Sequence, residues 1–187
     1  MSAAYIKGVT DNLTEAEITF DKFHAVKLVN DAVDKVRRAE SKGRPELKRS
    51  RYLWLRNEPS LSAESRTQLA ALTRLHLKTA RAYRIRLAFQ EVYNQSTWEW
   101  GARFLERWYS WAIRSRLDPI KEAARTIKKH SDGILAWFDS HIANGLIESI
   151  NSLVQAAKAK ARGYRSLRNL VAITYLIAGK IDLRLPT

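Results

Sequence analysis

The stretch ANGLIESINSLVQAAKAKAR, residues 143–162, decides how this chain is interpreted. Turned at the period of an α-helix, it separates a broad apolar stripe from a polar side, and it predicts a helix over about 143–161. The stripe contains Leu146, Ile147, Ile150, Leu153, Val154, Ala157 and Ala161, and the polar side contains Glu148, Ser152, Gln155 and Arg162. Glu148 is therefore expected to face outward from a packed helix.

Glu148 is the only acidic residue between Asp139 and Asp182. A dense cationic run follows it, made of Lys158, Lys160, Arg162, Arg165 and Arg168. A lone glutamate on a helix is most often a solvated surface residue. A lone anion among cations can also pair with one of them or bind a metal ion, and both interpretations are open from the residues alone.

The amino-acid composition of the chain indicates which class of partner it binds. The 187 residues include 33 Lys and Arg against 19 Asp and Glu, a formal net charge of +14, which predicts a polyanionic partner such as DNA. The absence of cysteine excludes disulfides and thiolate zinc sites.

The longest uncharged apolar run, residues 170–179, is about half of the ~20 residues that a spanning helix needs. With no N-terminal signal pattern, we expect a cytoplasmic protein without a membrane partner.

Only residues 16–20 read as a strand, because Ile18, Thr19 and Phe20 favour extended backbone. Helices are predicted from Asp21 to about Lys42 and over Ser50–Leu55, Ser62–Thr73, Leu75–Asn94 and Ser166–Ile181. The first of these has its apolar stripe at Phe23, Val26, Val29, Val33 and Val36.

Two further helices carry aromatic and basic side chains. Ser96 and Glu99 form a capping box, which opens a helix with a predicted buried stripe at Trp100, Phe104, Trp108, Trp111 and Ala112. Asp118 and Pro119 are expected to cap and start a helix to about His130. Its buried face is predicted at Leu117, Ile120, Ala124 and Ile127, and its cationic ridge at Lys121, Arg125, Lys128 and Lys129.

Three other side chains are candidates for a functional role. Asp21 can cap the following helix, with His24 in its first turn; a mixed metal site with Glu148 is the weaker alternative. Trp137 lies shortly before the glutamate helix, where its ring could stack on an unpaired base. A tryptophan flanked by Leu135 and Phe138 is more often part of a core, and we prefer that interpretation.

Several spaced motifs match, in order, one known family. They are residues 2–9 (SAAYIKGV), 16–24 (AEITFDKFH), 137–138 (WF), 144–151 (NGLIESIN) and 163–165 (GYR). In these motifs the chain resembles the C-terminal part of bacterial insertion-sequence transposases of the ISL3 family.

The resemblance implies a ribonuclease H-like domain of the DDE type. In it, two Asp and one Glu hold two Mg²⁺ or Mn²⁺ ions for DNA cleavage and strand transfer. Glu148 matches the third acid, catalytic and metal-binding, and Asp21 with His24 matches a structural Asp-x-x-His signature. The implied fold is mainly α with the sheet largely missing. It comprises a partial ribonuclease H-like segment (1–46), a helical insertion (47–130), and the glutamate-bearing helix with basic C-terminal helices (131–187).

The second catalytic Asp of this family stands directly before a Met-Ser-x-x-Tyr stretch, which here begins at Met1. The expectation is a truncated transposase that alone neither cuts nor joins DNA, since one carboxylate does not hold two metal ions. One alternative is a regulatory or non-specific DNA-binding fragment that inhibits full-length transposase, by pairing with it or by occupying DNA ends. Another is an unrelated helical nucleic-acid-binding protein. The predicted DNA contacts are the five cations after Glu148, three cations of the ridge (Lys121, Arg125 and Lys128) and Trp137.

Overall fold

The structure, a computed structural model, describes residues 3–141 and 145–179, with side chains for 6–141 and 149–179. Two packing units, Met1–Ile142 and Ala143–Thr187, are described separately below. The described ranges contain α-helices and 3₁₀ turns but no strand. The helices are α1 (Ala3–Asn12), α2 (Lys22–Glu40), α3 (Arg51–Leu55), α4 (Ala63–Arg74), α5 (Lys78–Gln90), α6 (Trp98–Ile113), α7 (Asp118–Lys129), α8 (Ser131–Leu135), α9 (Trp137–Ser140), α10 (Gly145–Lys160) and α11 (Leu167–Ala178). The mainly α prediction is confirmed.

Helix α2 is the centre of the first unit and packs against α3, α5 and α7. Its N-cap is Asp21, as predicted, and its buried stripe is Ala25, Val29, Ala32, Val33 and Val36. The prediction that Phe23 belongs to this stripe is wrong, because its side chain is 72% exposed. Two residues correspond to about 200° of rotation on a helix, so Phe23 points away from the face that begins at Ala25.

Helix α5 begins three residues later than predicted and ends in a 3₁₀ turn, Glu91–Asn94. Leu77 at its N-cap offers no side-chain acceptor. The Glu40 carboxylate at the end of α2 instead accepts hydrogen bonds from the amides of Lys78 and Thr79. A tertiary contact therefore sets the start of this helix, which local sequence signals placed at Leu75.

Helix α6 is capped by Thr97 and not by Ser96, and its buried stripe differs from the prediction. The buried residues are Gly101, Leu105, Trp108 and Ala112, whereas Trp100 and Trp111 are 51% and 41% exposed. The face of α6 that carries Gly101 packs inward, because the ring of Phe138 occupies the space where a Cβ of residue 101 would stand. Two of the predicted core rings thus lie at the surface.

Residues 16–20 form no strand or helix, so the strand prediction is wrong. The amide of Phe20 donates to the carbonyl of Gly133 in α8 at 2.8 Å, and its ring meets His130 edge-on at 5.0 Å. A Cβ at Gly133 would lie only 2.7 Å from the carbonyl oxygen of Ile18. The segment packs against a helix because no strand within the described ranges is available to pair with it.

Helix α7 matches its predicted buried face, with Leu117, Ile120, Ala124 and Ile127 all at most 4% exposed. Its N-cap is Leu117, one residue before the predicted Asp118, which is instead the first helical residue. Pro119 still lies in the first turn, where its missing amide costs no hydrogen bond.

The second unit is a hairpin of α10 and α11, which pack against each other. Val154 is buried as predicted, but Leu153 is 56% exposed, which contradicts its place in the buried stripe. A two-helix hairpin covers only one side of each helix, so the remaining apolar residues stay open within this unit. No helix in the described ranges is long and apolar enough to cross a bilayer. The three-part division of the domain drawn from the resemblance stays a prediction.

Candidate nucleic-acid interface

The turn between α10 and α11 is set by the backbone. The amide of Gly163 donates to the Lys158 carbonyl at 2.9 Å and that of Arg162 to the Ala159 carbonyl at 3.0 Å. These two bonds are a Schellman motif, which satisfies the last carbonyls of a helix. The motif needs a left-handed residue, and Arg162 takes that place with φ of 53°. An arginine therefore occupies a position that usually favours glycine.

All five predicted cations of this segment are exposed around the turn. Lys158 and Lys160 lie in the last turn of α10, and Arg168 lies in the first turn of α11. Residues 149–179 contain no Asp or Glu, so no carboxylate within that stretch neutralises them. The N-terminus of α11 adds a partial positive charge. Its cap is the Ser166 hydroxyl, which accepts a hydrogen bond from the Asn169 amide at 3.3 Å. We call these five residues the basic turn.

Glu148 lies on α10, in the part of the helix whose side chains are not described. The predicted outward orientation of its carboxylate therefore lies outside the described residues. Among residues with described side chains, no three of His, Asp and Glu are grouped so as to hold a metal ion. These residues do not present a donor set for the Mg²⁺ or Mn²⁺ that the resemblance implies.

The cationic ridge of α7 is partly neutralised by neighbouring acids. Lys121 donates to Asp118 at 2.8 Å, and this hydrogen bond holds the pKa of Asp118 below its ordinary value. Lys128 pairs with Glu106 and also lies over the ring of Tyr109. Arg125 is exposed and forms no ion pair in the described part of the chain. The ridge is thus a weaker candidate for phosphate binding than the basic turn.

Trp137 lies at the edge of the core of the first unit, and its ring is half-buried. Its indole meets Tyr93, Phe138 and His141 edge-on, with ring centroids 5.4, 5.3 and 5.1 Å away. The ammonium of Lys22 lies 5.7 Å from its centroid. These contacts agree with the core interpretation, and stacking of this ring on a base stays a prediction.

Asp21 and His24 form a capping pair at the start of α2. Asp21 Oδ1 accepts from the Phe23 amide at 2.7 Å, and His24 Nδ1 lies 3.6 Å from Asp21 Oδ2. Asp21 is buried, whereas the His24 side chain is 55% exposed. Burial raises the pKa of the Tyr93 hydroxyl, and the charge of Asp21 raises it further. The structural role agrees with this geometry.

One charged cluster was missed by the sequence reasoning. Asp34, on α2, is surrounded by three guanidinium groups, those of Arg37, Arg38 and Arg51. The spacing of Asp34 to Arg37 and Arg38, three and four residues along a helix, was the available signal. Arg51 comes from another helix, and no periodicity in the sequence predicts its approach.

Comparison with known proteins agrees with the resemblance. A family model described as transposase, of the ISL3 type, matches residues 1–174. The transposase for insertion sequence element IS1557 of Mycobacterium tuberculosis is 29% identical over 196 residues, which cover 90% of this chain and 44% of that relative. The transposase for insertion sequence element IS1001 of Bordetella parapertussis is 27% identical over 173 residues, covering 88% and 43%.

The chain thus spans less than half the length of these two curated relatives. No solved structure matches it. Because the family model covers residues 1–174 of 187, the chain belongs to the ISL3 family of transposases.

Proposed function

We propose that this chain acts in DNA transposition as part of a ribonuclease H-like catalytic domain of the DDE type, and that the basic turn contacts the DNA backbone. The observation that carries the proposal is the set of five exposed cations in an acid-free stretch, within a chain that belongs to a transposase family. Guanidinium and ammonium groups neutralise phosphates and release counterions, which gives DNA binding a strong salt dependence.

In this proposal Glu148 is the third metal-binding carboxylate of the domain. Two further carboxylates are needed, and the resemblance assigns neither of them to this chain. The chain alone then binds DNA but neither cuts nor joins it. Incubation of the pure protein with transposon-end DNA and Mg²⁺ tests this, and nicking that disappears in Glu148→Gln contradicts it.

DNA binding is tested by fluorescence anisotropy with a labelled duplex over a range of salt concentrations. Each phosphate contact contributes about −0.9 to the slope of log Kobs against log salt, so five contacts give a slope of about −4.5. Lys158→Ala with Lys160→Ala is expected to reduce the magnitude of the slope by about 1.8. Arg162→Gly removes one more cation and suits the left-handed backbone at that position.

A matched control removes two lysines elsewhere. Lys7 and Lys27 are exposed and form no ion pair in the described part of the chain. Lys7→Ala with Lys27→Ala changes the net charge equally. If this control and the basic-turn variant reduce the slope by the same amount, the binding depends on overall charge and the basic turn is not the interface. A wild-type protein that does not bind at low salt refutes the proposal outright.

A further inference from the structure

The cluster around Asp34 borders an open cavity between α2, α3 and α7 in the first unit. The cavity has a volume of about 690 Å³, which exceeds what a single phosphate group needs. Asp34, Arg37, Arg38 and Arg51 all line it. Nothing in the resemblance or in the relatives' names assigns a role to these four residues.

Asp34 contacts three guanidinium groups and hydrogen-bonds one of them. Its carboxylate is 8% exposed, and Oδ1 accepts from Nε and Nη2 of Arg37 at 2.9 and 2.7 Å. Oδ2 lies 3.3 Å from Nε of Arg38 and 3.6 Å from Nε of Arg51. One carboxylate thus contacts three arginines, and within the described residues only Arg37 is hydrogen-bonded to it.

The arrangement leaves hydrogen-bond donors and positive charge unused. Three guanidinium charges against one carboxylate leave an excess of two positive charges in the cluster. The side chains of Arg38 and Arg51 are 64% and 53% exposed, and their Nη groups donate no hydrogen bond in the described part of the chain. These two exposed guanidinium groups meet the same carboxylate oxygen, and their Nη donors can bind the oxygens of a phosphodiester, which arginine binds in a bidentate manner.

Acidic residues also line the cavity and limit which anions can bind inside it. Asp31 and Glu122 are exposed there, and with Lys35 they bring the lining to four cations against three acids, a net charge of +1. A small multivalent anion deep in the cavity would meet these acids. A phosphodiester at the exposed Arg38 and Arg51 edge would not need to enter it.

The neighbouring segment favours a polymer over a free anion. Residues 42–56 contain one acid, Glu46, and six exposed cations. The cations are Lys42, Arg44, Lys48, Arg49, Arg51 and Arg56. Tyr52 is 60% exposed, with the guanidinium groups of Arg51 and Arg56 5.7 and 5.4 Å from its ring. Basic groups spread over a surface with an exposed ring among them are typical of a nucleic-acid contact.

We propose that Arg38 and Arg51, positioned with Arg37 by Asp34, bind a phosphodiester of the DNA backbone. The inference rests on the proposed function in that DNA is the ligand, and it adds a second contact site in the first unit. Asp34 is a positioning residue, because it orients the guanidinium groups and does not touch the phosphate.

The test measures anisotropy of a labelled duplex with the full chain. Arg38→Ala with Arg51→Ala is expected to reduce the magnitude of the salt slope by about 1.8 and to weaken binding about 10- to 60-fold near 0.1 M salt. The matched control is Arg66→Ala with Arg74→Ala, two exposed arginines of α4 without ion pairs in the described part of the chain. Equal effects of the two double variants overturn the proposal.

Two conservative variants separate positioning from charge. Arg38→Lys with Arg51→Lys keeps the charge but loses the bidentate fork, so the slope should stay near the wild-type value while affinity falls several-fold. Asp34→Asn adds one positive charge to the chain. Simple charge attraction predicts tighter binding for it, and the positioning role predicts weaker binding; tighter binding overturns that role.

The outcomes distinguish this inference from the proposed function. If the wild-type chain binds DNA and the basic-turn variant weakens binding while Arg38→Ala with Arg51→Ala does not, only the inference fails. If the wild-type chain does not bind at low salt, both fail. Thermal unfolding of each variant checks folding, and because Arg38 and Arg51 are exposed, their double variant remains informative even where Asp34→Asn unfolds.

Discussion

The Glu40 carboxylate caps a helix that lies far from it in sequence, and its removal gives a defined loss of stability. Oε1 accepts from the Lys78 amide at 2.8 Å, and Oε2 accepts from the amide and the hydroxyl of Thr79, both at 2.7 Å. Thr79 is fully buried, and Leu77 at the N-cap supplies no side-chain acceptor. Glu40 thus serves as the cap of α5 while it belongs to α2.

The expected loss follows from these contacts. Removal of a side-chain N-cap costs about 0.5–2 kcal/mol, and loss of an anion near a helix N-terminus adds about 0.3–1 kcal/mol. Because two amides and one hydroxyl lose their acceptor, we expect Glu40→Ala to lower the free energy of unfolding by about 2–3 kcal/mol. Glu40→Gln keeps one acceptor oxygen and should lose about 1–2 kcal/mol.

Urea unfolding followed by tryptophan fluorescence measures these losses, and calorimetry should show a Tm about 4–12 °C lower for Glu40→Ala. The matched control is Glu46→Ala, since Glu46 is exposed and forms no hydrogen bond or ion pair in the described part of the chain. If both Glu40 variants unfold within about 0.5 kcal/mol of the control, the long-range cap does not stabilise the protein.

Two further changes test the packing of the first unit. Arg86 is 2% exposed and donates only to neutral acceptors, at Asn30, Leu55, Arg56 and Asn57. Arg86→Met removes this donor from Asn30, Leu55 and Arg56, whereas Asn57 keeps a hydrogen bond from Gln90. The change should lower the free energy of unfolding measured in urea by about 3–5 kcal/mol, against little change for Arg84→Met at an exposed site; a loss below about 1 kcal/mol contradicts this. Gly133→Ala places a Cβ 2.5 Å from the Phe20 ring. It should therefore lower the free energy of unfolding by about 1–3 kcal/mol and speed hydrogen exchange of the Phe20 amide. The control is Gly43→Ala, whose Cβ meets nothing within 4 Å and should change neither quantity. Unchanged exchange in Gly133→Ala would show that residues 16–20 do not depend on this contact.

The elements that could be predicted from sequence are those whose signals are local. Helix α7 has a proline in its first turn and apolar residues at three- and four-residue intervals, and its buried face was correct at every predicted position. The N-caps Asp21, Ser62 and Ser166 each accept a hydrogen bond from an amide of the helix that follows. Such signals act over one helical turn, so the chain itself displays them.

The features that could not be predicted depend on distant contacts. Trp100 looks like core by type, yet the close approach of Phe138 at Gly101 turns a different face of α6 inward. The start of α5 is likewise set from a distance, because Glu40 of α2 accepts from the amides of Lys78 and Thr79. Sequence spacing describes neighbours along one helix, and these outcomes were decided by neighbours from elsewhere.

Neighbouring acids decide which cations of the chain remain available to DNA. A net charge of +14 predicts a polyanionic partner but does not say which cations meet it. Around α7, Lys121 and Lys128 each face one acid, so their charges are largely cancelled. Asp34 faces three arginines, and its cluster keeps an excess of positive charge.

The basic turn has no acid within residues 149–179, and its exposed side chains form no ion pair in the described part of the chain. Cations without an ordering partner attract any duplex, whereas guanidinium groups positioned by a carboxylate also require a matching phosphate position. We therefore expect the two sites to respond differently to Arg-to-Lys exchange. Arg165→Lys in the turn should leave affinity nearly unchanged at constant slope, whereas the Arg38 and Arg51 exchange should weaken it. Equal responses would mean that Asp34 holds its arginines without any consequence for DNA.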